Sequence, residues 1–248
     1  MSSNETAIPP DRVARDPRAT NGPPCVTVRL ALAATLLVAV ACGGDSPPTA
    51  PVTPTDRQPI VFIHGFGGSA ADFAPVLVRF KQDGWVDREL NAASYSSFVS
   101  NAAVAATMSD RVDSVRLATG WSRVDVISFS MGSLSSRYYL KNLGGTSAVD
   151  AWVSVAGPNH GTTTAEQCSF DSCVEMRPGS AFLNELNSGD ETPGPVRYAT
   201  WWSPCDGYIV PSESTILDGA VNTETACLPH SGMFTETIYQ QVRAFIAP

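Results

Sequence analysis

Residues 124–132 read VDVISFSMG, and the fold turns on how this stretch is read. Val124, Val126 and Ile127 form a β-branched run, Ser130 follows at once, and a helix is expected over residues 131–143, closed by Gly144 and Gly145. A serine oxygen is a poor nucleophile unless a tight turn presents it beside a base and beside donors for the oxyanion that forms. A strand, a serine-bearing turn and a helix achieve that presentation. Side chains two residues before and after the serine must be small, because a bulky group there strikes the neighbouring backbone. Ser128 and Gly132 hold those positions around Ser130, so the G-x-S-x-G spelling is met sterically but not literally. A serine here is also a common helix N-cap, and the rest of the chain must decide between the two readings.

Working outward, residues 60–63 (IVFI) form a short buried strand that stops at the flexible loop His64-Gly-Phe-Gly-Gly68. Phe73, Val76, Leu77 and Phe80 recur at helical spacing, and Val104, Met108, Val112 and Val115 mark a second helix over residues 101–118. Further strands are expected over residues 151–156 and 196–202, with helices over 181–186 and 234–246. Strands alternating with helices imply parallel strands joined by crossovers. One doubly wound, mostly parallel α/β domain over residues 59–248 is therefore expected.

Loops at the carboxyl edge of such a sheet converge although they are distant in sequence. That edge gathers Ser130, Asp206 just past the strand ending at Trp202, and His230 just before the last helix. The chain has three histidines. His64 belongs to the Gly-rich loop and His160 to a Pro-Asn-His-Gly turn ahead of Asp206, which leaves His230 as base, with His160 the alternative. Asp190, Glu191 and Glu213 are rivals to Asp206 as the acid. The backbone N–H groups of Phe66 and Met131 are candidate oxyanion donors. Trp201, Trp202 and Phe129 are candidates for an acyl pocket or, equally, for plain core.

Three blocks in order, IHGFGG (63–68), VDVISFSMG (124–132) and YYLKNL (138–143), resemble the small bacterial secreted lipases known as lipase class 2, within the α/β-hydrolases. The resemblance covers residues 58–248. It implies an α/β-hydrolase fold and hydrolysis of carboxylic esters by Ser130, His230 and Asp206 through an acyl-enzyme, with no metal and no cofactor. Phe129 stands where the family usually has His, which makes the wall beside the nucleophile more apolar. Residues 156–162 resemble a block of secreted lipases and polyester hydrolases, whereas residues 163–179 have no counterpart in the smallest members. A polyester depolymerase or acyltransferase on the same triad, and a non-catalytic surface-binding lipoprotein, are the competing functions.

Composition narrows the partners. With 16 Lys+Arg against 24 Asp+Glu, the formal charge of −8 argues against nucleic acid. Residues 1–29 carry four arginines, and residues 30–42 (LALAATLLVAVAC) are uncharged. Spanning a bilayer takes about 20 residues, so residues 1–41 read as an export signal instead. The run AVAC followed by GGD resembles a lipobox, with Cys42 as the lipid-bearing residue and with Ala39 where the family prefers a larger aliphatic. Plain secretion after cleavage near Ala41 is the alternative. Residues 42–58 are a Pro-rich tether. A monomer on the cell envelope, or released, acting on an ester or lipid substrate is expected. Once Cys25 leaves with the leader and Cys42 is set aside, four cysteines remain, which implies two disulfides with three possible pairings. Adjacency favours Cys205–Cys227, tying the acid loop to the base loop, and Cys168–Cys173.

Overall fold

The computed structural model describes residues 57–247; the expected export signal, Cys42 and the expected tether up to residue 56 lie outside the described residues. Strand β1 (Ile60–Ile63) is buried along its whole length, the signature of a parallel strand covered on both faces. Ser69 then caps a 3-10 turn, Ala70–Phe73, which runs into α1 (Ala74–Gln82). The helix anticipated from Phe73 onward thus opens with a tighter turn, since Pro75 suits only a first helical turn. Strand β2 (Leu90–Ala92) precedes α2 (Asn101–Thr119), which begins at the Ser100 side-chain cap and ends where Gly120 takes a left-handed φ of 75°. There follow β3 (Val124–Phe129), α3 (Gly132–Asn142), β4 (Val149–Val155), α4 (Asp171–Met176), α5 (Ala181–Leu186), β5 (Arg197–Trp202), β6 (Val221–Glu224) and α6 (Glu236–Ile246).

All six strands pair in parallel, in the order β2-β1-β3-β4-β5-β6. The first described strand, β1, lies inside the sheet; the chain then steps out to β2 and returns past β1 to β3, so the direction of winding reverses between β1 and β3, the point where such sheets place their ligands. The period-2 alternation of the strands divides the core in two. Phe62, Ile127, Val153 and Trp201 face α1 and α6, and Val61, Val126 and Trp152 face α2 and α3. Three elements were not anticipated: β2, β6 and α4. Both unanticipated strands lie at the sheet edges.

One buried polar group in the sheet has a local cause. The β3–β4 register slips between Val124 and Val126, and the Ala151 N–H donates to the Asp125 carboxylate at 3.1 Å. Burial, reinforced by the charge of Asp150, pushes the Asp125 carboxyl from its ordinary 3.8 up to about 8. Between those pH values the folded chain holds a proton that the unfolded chain has lost. Stability therefore falls as pH rises through this window and levels off above it, by at most about 1.4 kcal/mol per pH unit from this group. Asp125→Asn keeps an oxygen for the Ala151 N–H and should flatten the decline of Tm between pH 5 and pH 8. Identical slopes in calorimetric scans of the two proteins would contradict this account.

Candidate active site

Ser130 sits at the β3–α3 junction with φ 53°, in the left-handed region that a non-glycine residue rarely enters. The turn is held by Ser130 N–H donating to the Val155 carbonyl at 3.0 Å and by Ser133 N–H donating to the Ser130 carbonyl at 3.0 Å. Close approach explains the small flanks. A Cβ on Gly132 would lie 2.4 Å from the Ile63 carbonyl oxygen, and one on Gly65 would lie 2.8 Å from Ser130 Cβ. Ser128, in place of the usual glycine, is fully buried with its hydroxyl taken up in hydrogen bonds. It donates to the Val153 carbonyl at 2.7 Å and lies 3.1 Å from Ser133 Oγ, which also receives the Ser154 hydroxyl at 2.8 Å.

Asp206 lies past the end of β5 and His230 opens a 3-10 turn before α6. His230 Nδ1 is 2.8 Å from Asp206 Oδ2. The other carboxylate oxygen, Oδ1, accepts the N–H groups of Tyr208 at 2.9 Å and Ile209 at 3.0 Å. Three charge-assisted contacts offset the burial of this carboxylate, whose side chain is 2% exposed. The imidazole is flanked by the rings of Phe129, at 4.8 Å, and Tyr208, at 5.2 Å. Phe129 is the residue before Ser130, so this packing sets the histidine beside the serine turn. Among the described residues Ser130 Oγ and His230 are not hydrogen-bonded; such contacts are often long without substrate and tighten when it binds. The Cys205–Cys227 disulfide, with Cα atoms 4.9 Å apart, ties the Asp206 loop to the His230 loop, and Cys168 is joined to Cys173 at a Cα separation of 5.7 Å.

The Gly-rich loop follows from one peptide plane. The Gly65 carbonyl accepts from His64 Nδ1 at 2.9 Å and from Gly68 N–H at 3.2 Å. His64 Nε2 accepts the Tyr95 N–H at 3.2 Å, which assigns the ring proton to Nδ1 and matches a pKa lowered by burial. In a trans peptide the N–H points opposite to the carbonyl, so the Phe66 N–H is directed away from both donors. Neither it nor the Met131 N–H has a hydrogen-bond partner among the described residues.

A cleft of about 410 Å³ opens beside Ser130, walled by Phe66, Ala165, Met176, Tyr208 and the Cys168–Cys173 bridge. Residues 163–179 supply much of this wall, and Cys173 and Met176 pack on Met131 and Leu134 in a core of their own. The aromatic candidates for the pocket are displaced. Trp201 points into the core under α6, with its indole N–H on Gln241 at 2.9 Å, and Phe129 supports His230. The alternation of β5 explains this, because Trp201 shares a face with Ala199 and not with the loops. The short Cys-x4-Cys spacing, with Phe170 between the cysteines, was the available sign that this segment folds over the site.

The remaining candidates are engaged elsewhere. His160 bonds Glu191 at 2.8 Å, Asp190 accepts from Thr192, and Glu213 from Ser212. Among the described residues no group of three or more His, Cys, Asp or Glu is placed to hold a metal ion, and no helix is long and apolar enough to cross a membrane.

A family model described as lipase (class 2) matches residues 57–243. The mature form of Bacillus licheniformis lipase BlEst2 superposes with a TM-score of 0.66 at 16% identity, over 78% of this chain and 94% of that one. Aspergillus fumigatus lipase B gives 0.63 at 15% identity, over 76% of this chain and 53% of that one. An esterase from Rhodococcus sp. ECU1013, RhEst1, gives 0.54 at 16% identity, over 79% and 93%. At these identities the likeness establishes the fold, that of the α/β-hydrolases.

Proposed function

Because the chain belongs to the lipase (class 2) family, we propose that it hydrolyses carboxylic esters with Ser130 as nucleophile, His230 as general base and Asp206 as the acid that orients it. One observation carries the reading: a serine on a strained turn stands next to a phenylalanine that packs against a histidine held by a buried aspartate. His230 Nδ1–H donates to Asp206, which leaves Nε2 free to take the Ser130 proton as the hydroxyl attacks the ester carbonyl. The Phe66 and Met131 N–H groups receive the oxyanion; each donor of this kind contributes on the order of 100-fold or more. His230 then protonates the leaving alcohol, and water releases the acyl group by the same steps in reverse roles.

The apolar wall formed by residues 163–179 supports an ester carrying an alkyl or acyl chain in the cleft. Two disulfides in one domain support folding in an oxidising compartment, in line with export of the chain. Labelling with a fluorophosphonate, followed by mapping of the adduct, tests the chemistry, and a chain-length series of nitrophenyl esters tests the cleft. A single adduct on Ser130 is expected. Label on another residue, or none, overturns the reading.

A further inference from the structure

The Gly-rich loop carries three glycines in five residues, so local sterics do not fix the directions of its amides. Beyond the two bonds to the Gly65 carbonyl within the loop, its supports come from outside. Gly67, at φ 67°, donates its N–H to Ser97 Oγ at 2.8 Å, and Ala70 N–H donates to Ser94 Oγ at 3.0 Å. The Tyr95 hydroxyl donates to the His64 carbonyl. The segment that follows β2 therefore runs along the loop and holds it at three points, counting the His64 ring, and holds the 3-10 turn after it at a fourth.

That segment is itself held from its far side by α4 and the residue that precedes it. Ser172 Oγ donates to the Ser97 carbonyl at 2.7 Å. Glu175 accepts from Ser100 Oγ at 2.7 Å, from Asn101 N–H at 2.6 Å and from Asn101 Nδ2 at 2.9 Å. Phe98 packs between Phe66 and Phe170, at 5.2 and 4.7 Å between ring centroids. Ser172 and Phe170 both lie inside the six-residue ring closed by Cys168 and Cys173.

We propose that Ser97 and Ser172 are positioning residues for ester hydrolysis, acting as a two-bond strut from the Cys168–Cys173 segment through Ser97 to Gly67, which sets the direction of the neighbouring Phe66 N–H. The proposal rests on the reading of Ser130 and the Phe66 amide given above. Both hydroxyls are buried, at 2% and 0% exposure for the two residues, and each spends its contact on a backbone group. Ser97 faces both ways, its side chain taking the Gly67 N–H and its carbonyl taking the Ser172 hydroxyl. Removing either bond lets a glycine-rich turn re-aim. An oxyanion donor displaced by a fraction of an ångström costs rate, because it is matched to the transition state and not to the bound ester.

The test compares Ser97→Ala, Ser172→Ala and Ser172→Thr with the unaltered protein. The measurements are kcat and KM on a soluble short-chain nitrophenyl ester, the inhibition constant of an alkylboronic acid, whose tetrahedral serine adduct places an oxygen between the two amides, and Tm. The alanine variants should lose about 10- to 100-fold in kcat, with KM within about 2-fold, and the boronic acid should weaken in parallel. Ser172→Thr, which keeps the donor, should recover most of the loss. If Ser97→Ala does not fold, the Ser172 pair decides alone. A fall in Tm with kcat and boronic acid affinity unchanged overturns the proposal, leaving the serines as ordinary satisfied core groups. Fluorophosphonate labelling of the unaltered protein separates the two readings. No label at Ser130 removes the premise and the proposal together, whereas label at Ser130 with unaffected variants removes only the strut.

Discussion

Ser130→Ala is expected to lower kcat on a soluble nitrophenyl ester by about 10⁶-fold, to the residual rate that oxyanion donors and binding supply without a nucleophile. The substitution removes one oxygen from a side chain at the mouth of the cleft and inherits the same left-handed backbone, so fold and KM should hold. Protein quantified by absorbance, an unchanged Tm and the loss of fluorophosphonate label provide the controls. Turnover above about a hundredth of the unaltered rate is incompatible with Ser130 as nucleophile, given the size of effect seen when a serine nucleophile is removed.

Asp206→Asn carries the second large effect, about 10⁴-fold in kcat, and here the structure specifies the cause. The N–H groups of Tyr208 and Ile209 both point at Oδ1, so an asparagine must keep its amide oxygen there and turn its NH₂ towards His230. Nδ1 then has to accept. The ring proton moves to Nε2, the atom that in the proposed mechanism takes the serine proton. The variant should fold and bind ester with nearly unchanged KM while failing in chemistry. Asp206→Ala leaves the ring with no orienting partner and should lose rate together with stability. A fall of less than about 10-fold in Asp206→Asn would remove Asp206 from the acid role assigned on this tautomer argument.

The strands legible in the sequence are those whose side chains are buried on both faces. Ile60–Ile63 and Val124–Phe129 are rich in β-branched residues and buried at nearly every position because helices cover the sheet on each side. Leu90–Ala92 and Val221–Glu224 are edge strands, the first three residues long and the second largely exposed, and neither shows an apolar run. They are strands because a neighbour pairs with them, which a local pattern does not record. The meeting of Asp206 with His230 was readable from topology, since loops at one end of a parallel sheet converge. The cleft wall was not. Its residues come from an insertion whose role depends on packing against Met131 and Leu134, and Trp201, which looked suited to a pocket, packs instead into the core on the Ala199 face of β5.

The Cys205–Cys227 bond has a consequence beyond the two loops that it joins. Its ring of chain encloses β6, one of the two edge strands, which pairs with β5 on one side only. An edge strand with unpaired backbone groups is ordinarily the part of a sheet that peels away to pair with another molecule. Here both ends of the segment return to one covalent point, so β6 cannot be handed to a second chain as a free arm while the bond stands. The same linkage that fixes Asp206 near His230 keeps the β6 border of the sheet from becoming a site of strand exchange.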